Sequence, residues 1–364
     1  MGRYAEGLSM DLFAGISAIL KKSDFVIANL ESPLLVNGEQ AQGKCTLRGS
    51  PDWAEVIKKA GVNLVSLANN HMADYGIEGL LSTIKALEKA DLYYVGAGKD
   101  KKEACAPIFF DVAGYRIAFL ARTSVIVASP SYAGEIQPGV AFLDVEETNK
   151  NINACKQQAD IVILLIHWGL EAYYYPSHHQ RLLARKLTEA GADLIIGHHP
   201  HVLQGVECIG SSLVAYSLGN FVFDDIQWSF LDKEGQRQYR IEKLTEENRK
   251  GGILRVTLSD KKVESYDLLP TYIHSDGKVV QDNSLERQRQ FDRLSSRLQS
   301  PAYSLFWRAY SIRQEWLLRF KPLFKGKFSW SELKKLRYKH FSQVLHTIWL
   351  SAKIAAEKST NPYE

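Results

Sequence analysis

Short aliphatic runs, each separated from the next by a stretch of helical length, constrain this chain more than any other feature. "DFVIANL" (24–30), "NLVSLAN" (63–69), "YRIAFLA" (115–121), "IVILLIH" (161–167), "DLIIGHH" (193–199) and "LVAYSLG" (213–219) show no regular alternation of polar and apolar positions. A strand with one wet face would show it, so these read as strands covered on both sides by other layers. Amphipathic stretches at 51–60, 77–90, 144–158 and 177–190 lie among them. The last starts after Pro176 and stops at Gly191, an ordinary pair of start and stop signals. The expected architecture is a layered α/β domain.

Past residue 225 the pattern changes. The stretch 226–250, with "DKEGQRQYRIEKLTEENRK" in it, reads as a charged and mobile surface excursion. "GGILRVTL" (251–258) and "KVESYDLLPTYI" (262–273) then alternate faces, as half-exposed strands do. From 284 the pattern is helical, which divides the chain into a main domain over 1–283 and a basic, aromatic helical extension over 284–364. No internal repeat is visible.

The bulk numbers exclude some classes. A net charge of +4 over 364 residues is too small to call for nucleic acid as a partner. Cys45, Cys105, Cys155 and Cys208 stand far apart and read as free thiols. No apolar stretch approaches the roughly 18 to 20 residues of a membrane span, and the first residues carry no leader pattern. As written the chain is expected to be cytoplasmic. A segment preceding Met1 would change that expectation to membrane association or export.

The residues that close the aliphatic runs carry the functional signal. Asn29 and Glu31 follow the first run, Asn69, Asn70 and His71 the second, and His167 ends a third. His198, His199 and His201 crowd the end of another, and Asn220 follows the last, in a chain with ten histidines in all. Ligands of open α/β sheets bind just beyond the carboxyl ends of the strands, where these side chains would converge. Carboxylate, amide and imidazole without thiolate suit divalent manganese, iron or zinc, and one or two such ions are the expected cofactors. Taken singly each residue has a plain reading: a solvated acid for Glu31, a turn for Asn69 and Asn70, a hydrogen-bonded core histidine elsewhere. Repetition at strand after strand makes the set informative. His178 and His179 read instead as the first turn of the following helix.

Five ordered motifs, "NLESPL", "SLANNHMADYG", "HWGLEAYYYP", "AGADLIIGHHPHVLQGVE" and "YSLGNFVFD", closely resemble the CapA-like proteins of bacterial poly-γ-glutamate capsule biosynthesis. That family is a branch of the calcineurin-like metallophosphatase superfamily. The resemblance implies a four-layer α/β/β/α sandwich with two metals at the strand ends. It implies that Glu31 bridges the metals and that Asn70, His167, His199 and His201 are ligands. It also places His71 beside the substrate as the catalytic acid, and His198 in support. Such families begin with a strand ending in Gly-Asp, whose Asp is a further ligand. This sequence opens "MGRYAEG", which resembles the segment just after that strand, so a first strand is expected to be missing, leaving open backbone edges in the sheet.

Functionally, the resemblance implies a metal-activated water attacking a phosphoester or an amide, with an anionic polymer as one substrate and capsule synthesis or export proteins as partners. A non-catalytic member of such an assembly is the alternative. Asp74 and Glu171 are expected to orient imidazoles and Asn29, Asn69 and Asn220 to support the ligands, while Arg48 either pairs with an anionic group or stands solvated at the surface. Trp168, with Tyr173, Tyr174 and Tyr175, reads either as the lining of a pocket or, at least as often for aromatic loop residues, as a lid or core edge. The C-terminal extension, divided by Pro322 and Gly326, is expected to pack its aromatic face on the domain, with contact to an anionic membrane as the other reading.

Overall fold

A computed structural model describes residues 10–320 apart from Gly43, 126–131 and 232–235. Its largest sheet joins β5 (Ile108–Val112), β6 (Tyr115–Thr123), β8 (Ile161–His167), β9 (Leu194–His198), β10 (Val206–Ile209) and β11 (Ser212–Ala215). Their spatial order is β10-β11-β9-β8-β6-β5, parallel from β11 to β6 and antiparallel at both edges. A second sheet sets β1 (Ile27–Asn29), β2 (Leu64–Ser66) and β3 (Tyr93–Val95) parallel. A third, antiparallel, holds β14 (Lys250–Ser259), β15 (Lys262–Ile273) and β16 (Val279–Gln281). A ribbon of β4 (Ala97–Gly98) and β7 (Gly139–Val140) closes one side.

Single strands supply two cores at once, because successive side chains of a strand point to opposite faces. Ile161, Ile163 and Leu165 of β8 face the other sheets, packing with Leu64, Phe119 and Leu268. Val162, Leu164 and Ile166 face outward, against Ile152 of α5 (Val145–Lys156) and Leu183 and Leu187 of α6 (His178–Glu189). Val65 of β2, one residue from Leu64, packs with Trp53 and Ile57 of α2 (Trp53–Ala60) and Leu80 and Ile84 of α3 (Gly76–Lys89). Two short helices complete the periphery: Leu20 of α1 (Ser17–Leu20) joins the core of α2 and α3, and Cys105 of α4 (Lys101–Cys105) packs with Ala141 beside the ribbon. Helices, sheet, sheet and helices therefore stack in the expected α/β/β/α order.

β1 is the exception to burial on both faces, being only half-buried. Leu30 N–H donates to Ser66 and Leu64 N–H to Val26, so the even residues of β1 bond towards β2 and the edge at Ile27 and Asn29 faces away. Across from it, Gly252 of β14 donates to Leu218, and the same edge continues through Leu254 and Val256. Among the described residues no strand lies between these edges. They flank a cavity of about 800 Å³ lined by Phe25, Ile27, Phe119, Leu165, Leu254 and Val256, reaching Glu31, His199 and His201.

The charged stretch after 225 departs from the sequence reading. It lies at the surface as read, but in the regular form of a hairpin of β12 (Ile226–Leu231) and β13 (Arg237–Glu242), whose backbone groups satisfy each other while β13 stays exposed. At the far end, α7 (Leu285–Leu298) and α8 (Tyr303–Glu315) complete the cores of the sandwich. Phe291 packs between the sheets, and Leu298, Tyr303 and Trp307 pack outside β8 with α5 and α6. Packing on the domain is therefore what the described part of the extension does. Residues 321–364, with Pro322 and Gly326, lie outside the described residues, and the expectation of membrane contact falls largely on them. No described helix is long and apolar enough to cross a membrane.

Candidate metal centre

β8 and β9 are neighbours in parallel register, with His167 opposite His198, so both strands deliver imidazoles to one edge. Gly197 makes that approach possible. A Cβ there would stand 2.1 Å from the Tyr216 carbonyl oxygen and 2.4 Å from Trp168 Nε1, distances that no other residue could accept. The chain then turns sharply: His199 (φ 100°) and His201 (φ 56°) both adopt left-handed backbone. That conformation is costly for a residue with a β-carbon, and it clusters at sites where side-chain placement matters more than local comfort.

Glu31, Asn70, His167, His199 and His201 converge here. His167 Nε2 lies 2.7 Å from Asn70 Oδ1 and 3.4 Å from Glu31 Oε1, and His201 Nε2 lies 3.5 Å from the same carboxylate oxygen. The His167 and His199 rings are 4.9 Å apart. One ligand atom each from Glu31, His167 and His199 falls within a 4.8 Å span, and so does one each from Glu171, His199 and His201.

Amides hold these groups in place. Asn29 Nδ2 donates to Glu31 Oε2 at 3.1 Å, and Asn69 Nδ2 donates to the Leu30 carbonyl at 2.9 Å. Asn220 Oδ1 pairs with His201 Nδ1 at 2.8 Å, which leaves Nε2 turned towards Glu31. Asn248 ties both ends of that contact, accepting from Asn220 Nδ2 on its carbonyl and donating to the His201 carbonyl. Asn29, Asn69 and Asn220 thus each hydrogen-bond within or beside this cluster.

The electrostatics favour a cation. Glu31 Oε1, His167 Nδ1 and His199 Nδ1 are buried without a hydrogen-bond partner, and such groups are expensive to leave unmatched. Burial, reinforced by the neighbouring imidazoles, holds His167 and His199 well below the ordinary histidine range, so both are neutral and carry lone pairs. Burial also raises the Glu31 carboxyl, against the lowering pull of His201 and His71. In His201, burial works to lower the pKa, but the Glu31 and Glu171 carboxylates and the Asn220 bond outweigh it, and the ring is raised. A divalent ion would stabilise the deprotonated state of all these groups, and the donor set of carboxylate, amide oxygen and imidazole fits one.

Around this cluster, His71 Nδ1 bonds Asp74 Oδ2 at 2.8 Å, leaving its Nε2 unengaged by that bond. Buried Lys44 forms an ion pair with Asp74 and donates to the Asn70 carbonyl at 2.8 Å. Arg48 lines the same cavity as Glu31, with its guanidinium 5.7 Å from the Tyr75 ring centre and bonded to the Val36 carbonyl. His198 also lines that cavity, and burial lowers its pKa to about 4.

Two expectations need correction. Trp168 lines no pocket: it is fully buried in the core beside α6, stacked on Tyr216 and donating to the Tyr216 carbonyl at 3.1 Å. One residue after His167, it points to the opposite face of the sheet. Tyr173 is likewise core. Glu171 bonds no imidazole among the described residues; it is exposed, with its carboxylate near His199 and His201. Lys44 and Asn248 escape a reading of the sequence, since nothing in their local patterns marks them.

A family model described as bacterial capsule synthesis protein PGA_cap matches residues 6–225. Capsule biosynthesis protein CapA of Bacillus anthracis is 39% identical over 238 residues, 63% of this chain and 57% of that protein. PGA biosynthesis protein CapA of Bacillus subtilis (strain 168) is 36% identical over 252 residues, 67% of this chain and 66% of its own length. The chain thus spans between 57% and 66% of the length of these two relatives. Among solved structures, Haemophilus influenzae NAD nucleotidase superposes with a TM-score of 0.41 at 20% identity, over 77% of this chain and 55% of that one. A putative 5'-nucleotidase from Staphylococcus aureus gives 0.45 at 15% identity, over 79% and 52%. The family match covers more than half of the sequence, including every residue of the histidine cluster, and the chain belongs to the bacterial capsule synthesis protein PGA_cap family.

Proposed function

We propose that this protein is a metal-dependent hydrolase serving the synthesis of a poly-γ-glutamate capsule or a related envelope polymer. The observation that carries the chemistry is the convergence of Glu31, His167 and His199 at one strand edge, where Glu31 Oε1 and the Nδ1 atoms of both rings are buried without a hydrogen-bond partner. The biological setting is supported by the names of the relatives, a PGA biosynthesis protein in Bacillus subtilis and a probable polyglutamine synthesis accessory protein in Mycobacterium tuberculosis, the latter 30% identical over 213 residues. Other members of a polymer synthesis or export assembly are the proposed partners.

Glu31, Asn70, His167, His199 and His201 would hold the ion, of manganese, iron or zinc. Bound there, a divalent ion lowers the pKa of a water molecule and polarises a phosphoryl or carbonyl oxygen. Asn29 and Asn69 keep the Glu31 carboxylate aimed at the imidazoles. Asn220 holds the proton of His201 on Nδ1, so that Nε2 faces inward. Asp74 fixes His71 by its Nδ1, and the opposite nitrogen then donates a proton to a leaving oxygen or nitrogen, a contribution of roughly 10² to 10⁴ in rate. Arg48 at the cavity mouth pairs with an anionic substrate group.

The test joins elemental analysis of purified protein to assays on p-nitrophenyl phosphate and on poly-γ-glutamate. Near-stoichiometric metal, with turnover that disappears in His167→Ala, is the expected result. Protein that takes up no metal and turns over neither substrate would overturn the reading and leave a structural role in the assembly.

A further inference from the structure

Helix α8, which lies beyond the residues the family model matches, has two unlike faces. Tyr303, Trp307, Ser311 and Gln314 are buried at the spacing of one helical stripe and face the domain. Through this stripe the helix holds the loop that leaves His167. The Tyr303 hydroxyl donates to the Pro176 carbonyl at 2.6 Å, and Gln314 Nε2 donates to the Ala172 carbonyl at 2.7 Å.

The opposite face has no such partner among the described residues. Leu305, Ala309, Ile312 and Trp316 follow one another at helical spacing and are all exposed, Leu305 at 73%, Ile312 at 56% and Trp316 at 53%. A surface helix ordinarily turns polar residues outward, whereas α8 presents large apolar side chains to solvent. The neighbouring helix α6 adds Leu182, itself exposed, and the two helices are joined where Ser304 Oγ lies 3.0 Å from His178 Nδ1. Contiguous apolar surface of this kind marks contact with a partner or a membrane.

The charges that surround it are of one sign. Arg308 and Arg313 are the exposed charges of α8, because its one acid, Glu315, is buried and accepts from the Tyr173 hydroxyl at 2.6 Å. Burial, and then the guanidinium groups of Arg181, Arg185 and Arg308, hold His178 below the ordinary histidine value, which places Arg185 of α6 close to Arg308. Arg297 of α7 is exposed as well, with its guanidinium 4.6 Å from the centre of the Phe306 ring. The sequence that follows, 321–364, holds nine lysines and arginines against three acids. Pairing α8 with a second copy, or with that basic segment, would set cation against cation. An anionic lipid surface would neutralise the arginines and accept the apolar residues between them.

We propose that the outer face of α8, with Arg185 and Arg297 beside it, is a docking surface for an anionic lipid bilayer. Leu305, Ile312 and Trp316 enter the boundary between headgroups and acyl chains, while the arginine stems lie along it and their guanidinium groups reach the phosphates. Because the inner face of the same helix holds the loop after His167, docking fixes the distance of the histidine cluster from the lipid. The inference stands whether or not that cluster binds metal.

Co-sedimentation of the full-length protein with vesicles of phosphatidylcholine, alone or mixed with phosphatidylglycerol, tests this. Binding is expected with the mixed vesicles only, and it should weaken as salt is raised. Arg308→Ala is expected to weaken it by about 5-fold. Replacing Ile312 and Trp316 together by Asp is expected to weaken it by at least about 10-fold, with an unchanged thermal melt. No binding to mixed vesicles, or wild-type binding in both variants, would overturn the proposal. A second reading needs neither variant: an environment-sensitive dye on Leu305→Cys, in a Cys208→Ser background, should shift to the blue with mixed vesicles and stay unshifted in buffer. Emission already blue in buffer would show the face covered by residues 321–364, and a shift that grows with protein concentration alone would show a second copy. Either result would overturn the lipid assignment, as would a dye that ignores the vesicles.

Discussion

Asn70 and His167, 97 positions apart in the chain, meet with the amide oxygen 2.7 Å from the ring nitrogen. The contact joins the loop after β2 to the end of β8, and hence one sheet to the other.

Removing that amide should loosen the site without unfolding it. Asn70→Ala is expected to lower Mn²⁺ affinity by at least about 10-fold, the scale at which metal-site partners act. Calorimetric titration beside a thermal melt separates the two effects. Unchanged affinity would show that Asn70 is no ligand.

Asp74 is the more dangerous residue to disturb. It is wholly buried, accepts from the Leu47 N–H at 2.5 Å and from His71, and neutralises Lys44, itself 8% exposed. Asp74→Ala strands a buried ammonium and is expected to cost about 3 to 5 kcal/mol. Urea denaturation measures it, and a loss below about 1 kcal/mol would mean that Lys44 escapes to solvent.

Much of this architecture is legible in the sequence, for identifiable reasons. The strand 262–273 is legible because its run of β-formers is bounded by polar turn residues, although its polar and apolar positions alternate only in part. The ligand cluster is legible because the strands are parallel and end in unusual polar residues. The edge strands β5 and β10 are not, since five- and four-residue segments of mixed polarity carry little periodicity. Trp168 is misplaced by its loop position although parity could place it, being even-numbered like Val162, Leu164 and Ile166, which face the outer core. Lys44 and Asn248 carry no sequence signal for the site: the contacts that tie them to it reach Asn70 and Asn220, 26 and 28 residues away, and are chosen by the fold.

The buried histidines make the metal-free protein sensitive to acid. In the unfolded chain His167, His198 and His199 take protons near 6.5, whereas in the fold burial delays this, for His198 to about 4. Their stabilisation is complete above about 6.5 and is lost as pH falls towards 4. His201 and Glu31, both raised, act in the opposite sense, gaining stability as pH falls, but are fewer. Urea midpoints in chelator should therefore drop between pH 7.5 and 5, less steeply in His198→Asn. A flat or rising profile would contradict the burial of these rings.

The thiols offer an independent check on the loop that carries Lys44. Burial, with help from the Glu242 and Asp74 carboxylates, pushes Cys45 up to about 12, and burial pushes Cys155 up to about 11, while Cys208 is exposed. Only thiolate reacts, so at pH 7.5 Cys45 should label about 10³-fold more slowly than a thiol at the ordinary value of 9, and more slowly than exposed Cys208. Mass spectrometry after brief maleimide treatment is expected to find the modification on Cys208 alone. Because Lys44 is anchored by Asp74, the Asp74→Ala variant frees the adjacent Cys45, and its labelling should accelerate before global unfolding does. If Cys45 labels as fast as Cys208 in the wild type, the loop does not close over Asp74, and the support given to His71 fails with it.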